Sequence, residues 1–121
     1  KVLGLSQGNS IVSFDVPKNH WMVKKSIGKL KLEKEGVLVL GIFRKVGKEE
    51  QYIATPSDGF KIQKGDKIIV YCKESIGENL ATREKGPSGN FARQEAEIKH
   101  KNYSALKKLA EEKVLKETKN H

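Results

Sequence analysis

The side chains able to do chemistry are few and scattered. Histidines stand at 20, 100 and 121, Cys72 is the single cysteine, and Asp15, Asp58 and Asp66 sit at strand or turn positions. No H-x-x-x-H or C-x-x-C spacing concentrates metal ligands. One cysteine supports neither an intramolecular disulfide framework nor a zinc site made of thiolates alone. No Ser-His-Asp or Cys-His set falls where a shared site is evident, so the expectation is a protein without catalytic activity. No G-x-G-x-x-G follows a strand, and no nicotinamide site is expected. Cys72 ends an apolar strand and reads as a buried, inert thiol. Trp21 with Met22 has two readings, a membrane-surface or partner contact and packing against the sheet edge.

The elements that position these residues must come from a modest apolar supply. Of 121 residues, 36% are hydrophobic and 32% charged, which predicts a compact part and a solvated part. The formal charge of +9 favours anionic neighbours and says nothing of fold. The longest apolar run, Val37 to Phe43, is far short of the roughly 20 residues that span a bilayer. The start at Lys1, with no signal-peptide pattern, reads as an excised fragment.

β-branched and aliphatic runs nearly all precede residue 73. In Ile11 to Val16, alternation puts Val12, Phe14 and Val16 on one face until Pro17 ends the strand. Ser26 to Glu33 predicts two turns of helix, with Ser26 as N-cap, Ile27, Leu30 and Leu32 inward, and Gly36 as a left-handed terminator. Val37–Phe43 and Ile68–Cys72 are strands apolar on both faces. Between them, Arg44 to Glu50 reads as a charged turn, and Gln51–Thr55 returns as a hairpin partner closed by Pro56. In the turn Lys64-Gly65-Asp66-Lys67, glycine supplies positive φ and Asp66 satisfies backbone N–H groups. One helix covers one sheet face, so the other needs a partner. After the breaker cluster Lys85 to Asn90, a charged helix is predicted from Asn90, its N-cap, to about Thr118. Its thin stripe Tyr103, Leu106, Ala110 and Val114 suits a solvated or partner-dependent helix better than a coiled coil.

This series resembles the TrkA C-terminal domain, the C-terminal subdomain of regulators of potassium conductance (RCK_C). The matching residues are the Val16-Pro17 exit, Lys25-Ser26-Ile27, Gly36 to Arg44, Ile53-Ala54-Thr55-Pro56 and Ile62-Gln63-Lys64-Gly65-Asp66-Lys67-Ile68. Trp21, Leu3 to Gly8 and the charged tail resemble the subset that follows short membrane-spanning segments. Lys24 stands where a glycine is common, and Gly28 where a helix former is common. The resemblance implies an α+β fold: a small, mainly antiparallel β-sheet with a short covering helix, plus a charged C-terminal helical tail. The implied layout is a linker over 1–10 from a missing N-terminal part, a TrkA-C-like regulatory domain over 11–80, a flexible joint over 81–90 and the tail over 91–121.

The implied function is a cytosolic regulatory, ligand-sensing and dimerisation module of a cation channel or transporter, with potassium the usual ion. The expected partners are a second copy of the chain and a membrane-spanning segment or channel, which makes this the cytoplasmic domain of a membrane protein. Two alternatives are a basic nucleic-acid-binding module and a purely structural dimerisation adaptor. The first is disfavoured by few aromatics and by 15 acidic residues among the basic ones. No cofactor is expected, and the ligand class implied is a regulatory anionic nucleotide such as cyclic di-AMP at the two-fold interface. In the family the neighbourhood of Arg44 borders that cleft, which makes Arg44 a candidate ligand residue and Pro56 a second residue to line it. A two-fold contact would bring two Arg44 guanidiniums together, a repulsion that an anion relieves. Against these roles stand a solvated charge opening a turn for Arg44 and a turn proline for Pro56.

Overall fold

Alternation in β2 (Asn9–Asp15) sends Ser10, Val12 and Phe14 inward, and Val16 follows them into the core. In β5 (Lys67–Lys73), Ile68, Val70 and Cys72 do the same with no exposed surface. The computed structural model describes residues 2–4 and 8–119. It gives one antiparallel sheet in the order β1-β2-β5-β3-β4, completed by β1 (Val2–Gly4), β3 (Leu38–Val46) and β4 (Glu49–Ala54). Val2–Gly4, read as linker, thus adds an edge strand, while Leu5, Ser6 and Gln7 lie outside the described residues. Along the central pairings Val12 opposes Val70, which opposes Val39, and Phe14 opposes Ile68, which opposes Ile42. A register shift between Val39 and Gly41 keeps Ile42 on the core side of β3.

The expected charged turn is shorter than the sequence suggested. β3 continues through Arg44 to Val46, and only Gly47 (φ +65°) and Lys48 separate it from β4. Cross-strand pairing of Arg44 with Gln51 and Lys45 with Glu50 lets polar residues continue the ladder.

The two-turn helix is replaced by a broken one. α1 (Ile27–Leu30) is a single turn, Lys31 takes φ +48°, and a 3-10 segment follows over Leu32–Glu35 before left-handed Gly36. Ser26 occupies the N-cap position without a side-chain cap bond. Gly28 is the reason for the shape. Its N–H donates to the Asp58 carbonyl at 2.9 Å, and a Cβ there would lie 2.9 Å from Asp58 Cβ. The Ser57–Gly59 turn therefore lies against the helix, and only glycine admits it. Lys24, at the family's glycine position, holds φ +68°. Both departures from the family pattern thus have a backbone meaning.

A second helix escaped the sequence reading. α2 (Glu74–Thr82) follows β5 directly and buries Ile76, Gly77 and Leu80. Residues 81–90, read as a joint, hold the end of α2, a turn through Gly86 (φ +85°), and the start of α3 (Pro87–Lys119). Pro87, not Asn90, opens that helix, since proline loses no intrahelical bond in the first turn. Gly89 and Ala96 are buried and Ala92, His100 and Tyr103 half-buried, so the first half of α3 packs on the 3-10 segment and α2. From Ser104 to Thr118 every residue is exposed, Leu106 and Val114 included. α1, the 3-10 segment, α2 and early α3 all contribute to one core on one sheet face.

The seam between these helices is polar and ordered. Leu80 O accepts from Trp21 Nε1 at 2.8 Å and from His20 Nε2 at 3.1 Å, and Ala81 O lies 3.2 Å from the same imidazole nitrogen. Met22 N–H donates to His20 Nδ1 at 3.2 Å, which puts the imidazole proton on Nε2. These bonds satisfy carbonyls at the end of α2 that have no helical partner. Arg83 donates to Glu35, with Glu35 1% and Arg83 7% exposed, and its guanidinium lies 4.5 Å over the Trp21 ring. Burial pushes the Glu35 carboxyl above its ordinary value, and Arg83 pulls it back. Among the described residues no buried side-chain nitrogen or oxygen lacks a partner.

Two tests follow from this packing. Gly28→Ala should destabilise the domain by about 1–2 kcal/mol through overpacking against Asp58, whereas Lys24→Gly, which relieves a left-handed lysine, should not destabilise it. Denaturant unfolding of both variants checks the pair, and equal losses would contradict it. The second concerns His20, whose imidazole burial holds below its ordinary value of 6.5. The unfolded chain then takes up this proton first as pH falls. The His20 contribution is complete above pH 6.5 and is lost progressively below it, down through the folded value. Unfolding free energy between pH 7 and 5 should fall more steeply for wild type than for His20→Gln. Parallel profiles would refute the assignment.

Candidate functional site

The face of the sheet opposite the helices carries the residues of the other parity. Ile11, Tyr71 and Leu38 stand in one cross-strand row, and Phe43 and Tyr52 face each other in another, with Ile69 between. The Phe43 and Tyr52 rings lie 4.8 Å apart. Tyr52 reaches across Gly41, and its hydroxyl is 3.4 Å from Leu40 O. Leu38 is 59% and Tyr52 51% exposed, and the others are half-buried. The sequence placed an uncovered apolar face on this sheet, and none of the helical elements of the core lies on it. The particular residues were not singled out, although their alternation with Val12, Phe14, Ile68 and Val70 was the available signal.

The two predicted site residues do not share a pocket. Arg44 follows Ile42 on the helix-covered side of β3 and closes one end of the core. Its Nε donates to Asp66 Oδ1 at 2.9 Å, and its Nη2 donates to Asp66 Oδ2 at 2.8 Å and to Lys61 O at 2.9 Å. The guanidinium lies 4.6 Å over Phe60. These bonds from Asp66 hold Arg44 above its ordinary value. Asp66 is 1% exposed and also accepts from Gln63 N–H at 2.9 Å, while Gly65 (φ +86°) shapes the turn. The Gly65-Asp66 turn therefore does what its residue types suggested, and in addition anchors Arg44 in a two-point carboxylate bond. Arg44 thus lies on the side of the sheet away from Leu38, Phe43 and Tyr52.

Pro56 lines a groove of about 390 Å³ beside Leu38 and Val39. The groove's other walls include Ile27, Leu32 and Val37, and its charged residues are the carboxylates Glu33 and Asp58. Such a lining suits an apolar contact better than a phosphate. Cys72 is buried, and burial pushes its thiol up to about 11, so the thiolate is scarce at neutral pH. Trp21 packs inside the domain, 7% exposed, which settles its two readings in favour of packing. Asp15, Asp58 and Asp66 stand apart: Asp66 is bound by Arg44, Asp58 meets α1 through its carbonyl, and Asp15 lies opposite Lys67 in the ladder. Among the described residues no helix is long and apolar enough to cross a membrane.

Solved structures with a similar fold include the GsuK RCK domain, at 16% identity and TM-score 0.48 over 62% of this chain and 16% of that one. The RCK_C domain dimer of S. agalactiae BusR in complex with c-di-AMP aligns at 22% identity and TM-score 0.45, over 55% of this chain and 83% of that one. S. agalactiae BusR in complex with its busAB-promotor DNA aligns at 20% identity and TM-score 0.46, over 61% of this chain and 35% of that one. The chain thus spans a small part of the GsuK chain and about a third of that BusR chain. No curated protein matches it. The model of the TrkA-C domain matches residues 11–82, from β2 to the end of α2 and more than half of the sequence, and the chain belongs to that regulatory family.

Proposed function

We propose that this chain is the regulatory dimerisation module of a cation transport system, with potassium the ion its family resemblance implies. In this reading it works on the cytosolic side of a membrane protein, pairs with a second copy of itself, and catalyses nothing. Membership of the TrkA-C family supports the regulatory role. The observation that carries the dimer is the open sheet face, where Leu38, Phe43, Tyr52, Ile69 and Tyr71 lie on the side away from the helices that build the core among the described residues. A contiguous, partly exposed apolar face of this kind is what interaction surfaces present. A two-fold contact removes it from water by using one self-complementary patch twice.

The same geometry bears on ligand sensing. An anionic nucleotide such as cyclic di-AMP at the two-fold interface would find Arg44 committed to Asp66 and Pro56 flanked by Glu33 and Asp58. Assembly, rather than anion capture by Arg44 and Pro56, is the role these contacts favour. Light scattering at micromolar concentration should return a dimer mass for wild type and a monomer mass for Leu38→Glu, a change that an exposed site tolerates. Leu109→Glu, on the exposed half of α3, should leave the dimer intact. A monomeric wild type, or dissociation by Leu109→Glu alone, would overturn the assignment to the sheet face.

A further inference from the structure

On the helix-covered side, α1 and the turn between α2 and α3 enclose a cleft of about 270 Å³. Lys25, Lys29, Lys31, Arg83, Lys85 and Arg93 line it, against a single lining carboxylate, Glu84. Arg83 is balanced by Glu35, and Arg93 has a looser partner in Glu97 at 3.5 Å. Glu84 is within 3.3 Å of the Ser88 hydroxyl. Among the described residues the four lysines have no such ion pair. Lys25 sits 5.8 Å from the centre of the Trp21 ring, which forms part of the wall. Lys31 holds its φ of +48° beside the cleft, a conformation unfavourable to a non-glycine residue. An adjoining groove shares Lys85 and adds Lys18, Lys24 and Lys64 with no carboxylate. Like charges lining one cleft repel one another, and an anion bound among them would relieve that repulsion.

We infer that this cleft is a binding site for a phosphoryl group carrying two or more negative charges. Its volume is below that of ordinary ligand pockets, roughly 300–1,000 Å³, which fits a pyrophosphate-sized group better than a whole dinucleotide. The cations come from two separate parts of the chain, α1 with Lys31 on one side and the α2–α3 turn with Arg93 on the other. They converge because the His20, Trp21 and Arg83 contacts hold that turn beside Trp21 and the 3-10 segment. The first turn of the 33-residue α3 adds the positive end of its dipole to the same space. The site is separate from the open sheet face and does not depend on dimerisation.

Trp21 is the only tryptophan, so its fluorescence reports from the cleft wall. Tripolyphosphate should change that emission saturably, with an affinity that falls as ionic strength rises. Lys31→Gly, which removes the charge and suits the left-handed backbone, and Arg93→Ala should each weaken binding about tenfold. Lys113→Ala, far along α3, should not. Vesicles of phosphatidic acid in phosphatidylcholine, whose phosphomonoester headgroup can carry two negative charges, separate by co-flotation the two sources of such a group. Binding to vesicles without binding to tripolyphosphate assigns the cleft to a lipid headgroup, and the converse assigns it to a soluble phosphate. Absence of both, or equal weakening by Lys113→Ala and Lys31→Gly, would overturn the site.

Discussion

One carbonyl oxygen, Leu80 O, settles where the second half of this protein goes. It ends α2 and accepts from both His20 and Trp21, side chains nearly 60 residues earlier in the chain. Left unpaired in the core, such a carbonyl would cost about 1–3 kcal/mol. Two adjacent side chains remove that penalty and fix the exit direction of α2. Three residues on, Arg83 enters the same seam, lies over Trp21 and binds Glu35. Taking either charge away would strand the other in the core, a loss of about 3–5 kcal/mol in comparable pairs. The ion pair therefore constrains geometry more than it adds stability. It ties the α2–α3 turn to the 3-10 segment at one place only.

The asymmetry of the sheet follows from that constraint. With the turn locked, Ala96 and its neighbours along early α3 must lie over the 3-10 segment, on the side that α2 already occupies. The helical layer lies over Val12, Val70 and Ile42, and none of it lies over Ile11, Ile69 and Tyr71. Arg44 belongs to the completed side. Its bond to Asp66 joins β3 to the turn that opens β5, and its stacking on Phe60 covers the core's edge. A residue spent on that corner has little freedom to serve the opposite face. In the proposed cleft the anion would meet Lys25, Lys29, Lys31 and Lys85, which have no ion pair among the described residues.

What was legible in the sequence was mostly local. Alternation in Ile11–Val16, the doubly apolar runs of β3 and β5, and the Gly65-Asp66 turn each act within a few residues, and their order was enough for the family resemblance. The uncovered sheet face was also readable, because it follows from counting apolar faces against covering elements. α2 was not readable, since nine residues with a central glycine carry a weak helical signal. Gly77 is there because a Cβ would meet Val12 Cγ1 at 2.9 Å, a requirement set by a strand 65 residues away. The Glu35–Arg83 pair spans 48 residues and has no sequence periodicity at all. Arg44 was misplaced for the same reason. Its partner Asp66 lies 22 residues on, and the strand continues through it because that partner exists.

The long final helix shows how far such a tie can propagate. Thirty-three residues at about 1.5 Å each reach roughly 50 Å, well past the sheet. An isolated helix of the exposed segment, about 15 residues, would be marginal in water because its first turn is unfavourable to form. Here the first turn is already made. Gly89, Ala92, Ala96, His100 and Tyr103 repeat at three- and four-residue intervals and seat α3 on the domain, so later residues add to an existing end. Charge does little to help them, since Lys107 with Glu111 and Lys113 with Glu117 have the weaker order of an i,i+4 pair. The exposed half therefore owes its helicity to the packed half. Loosening Arg83 or Leu80 at the seam would unseat both the basic cleft and the base of the tail together.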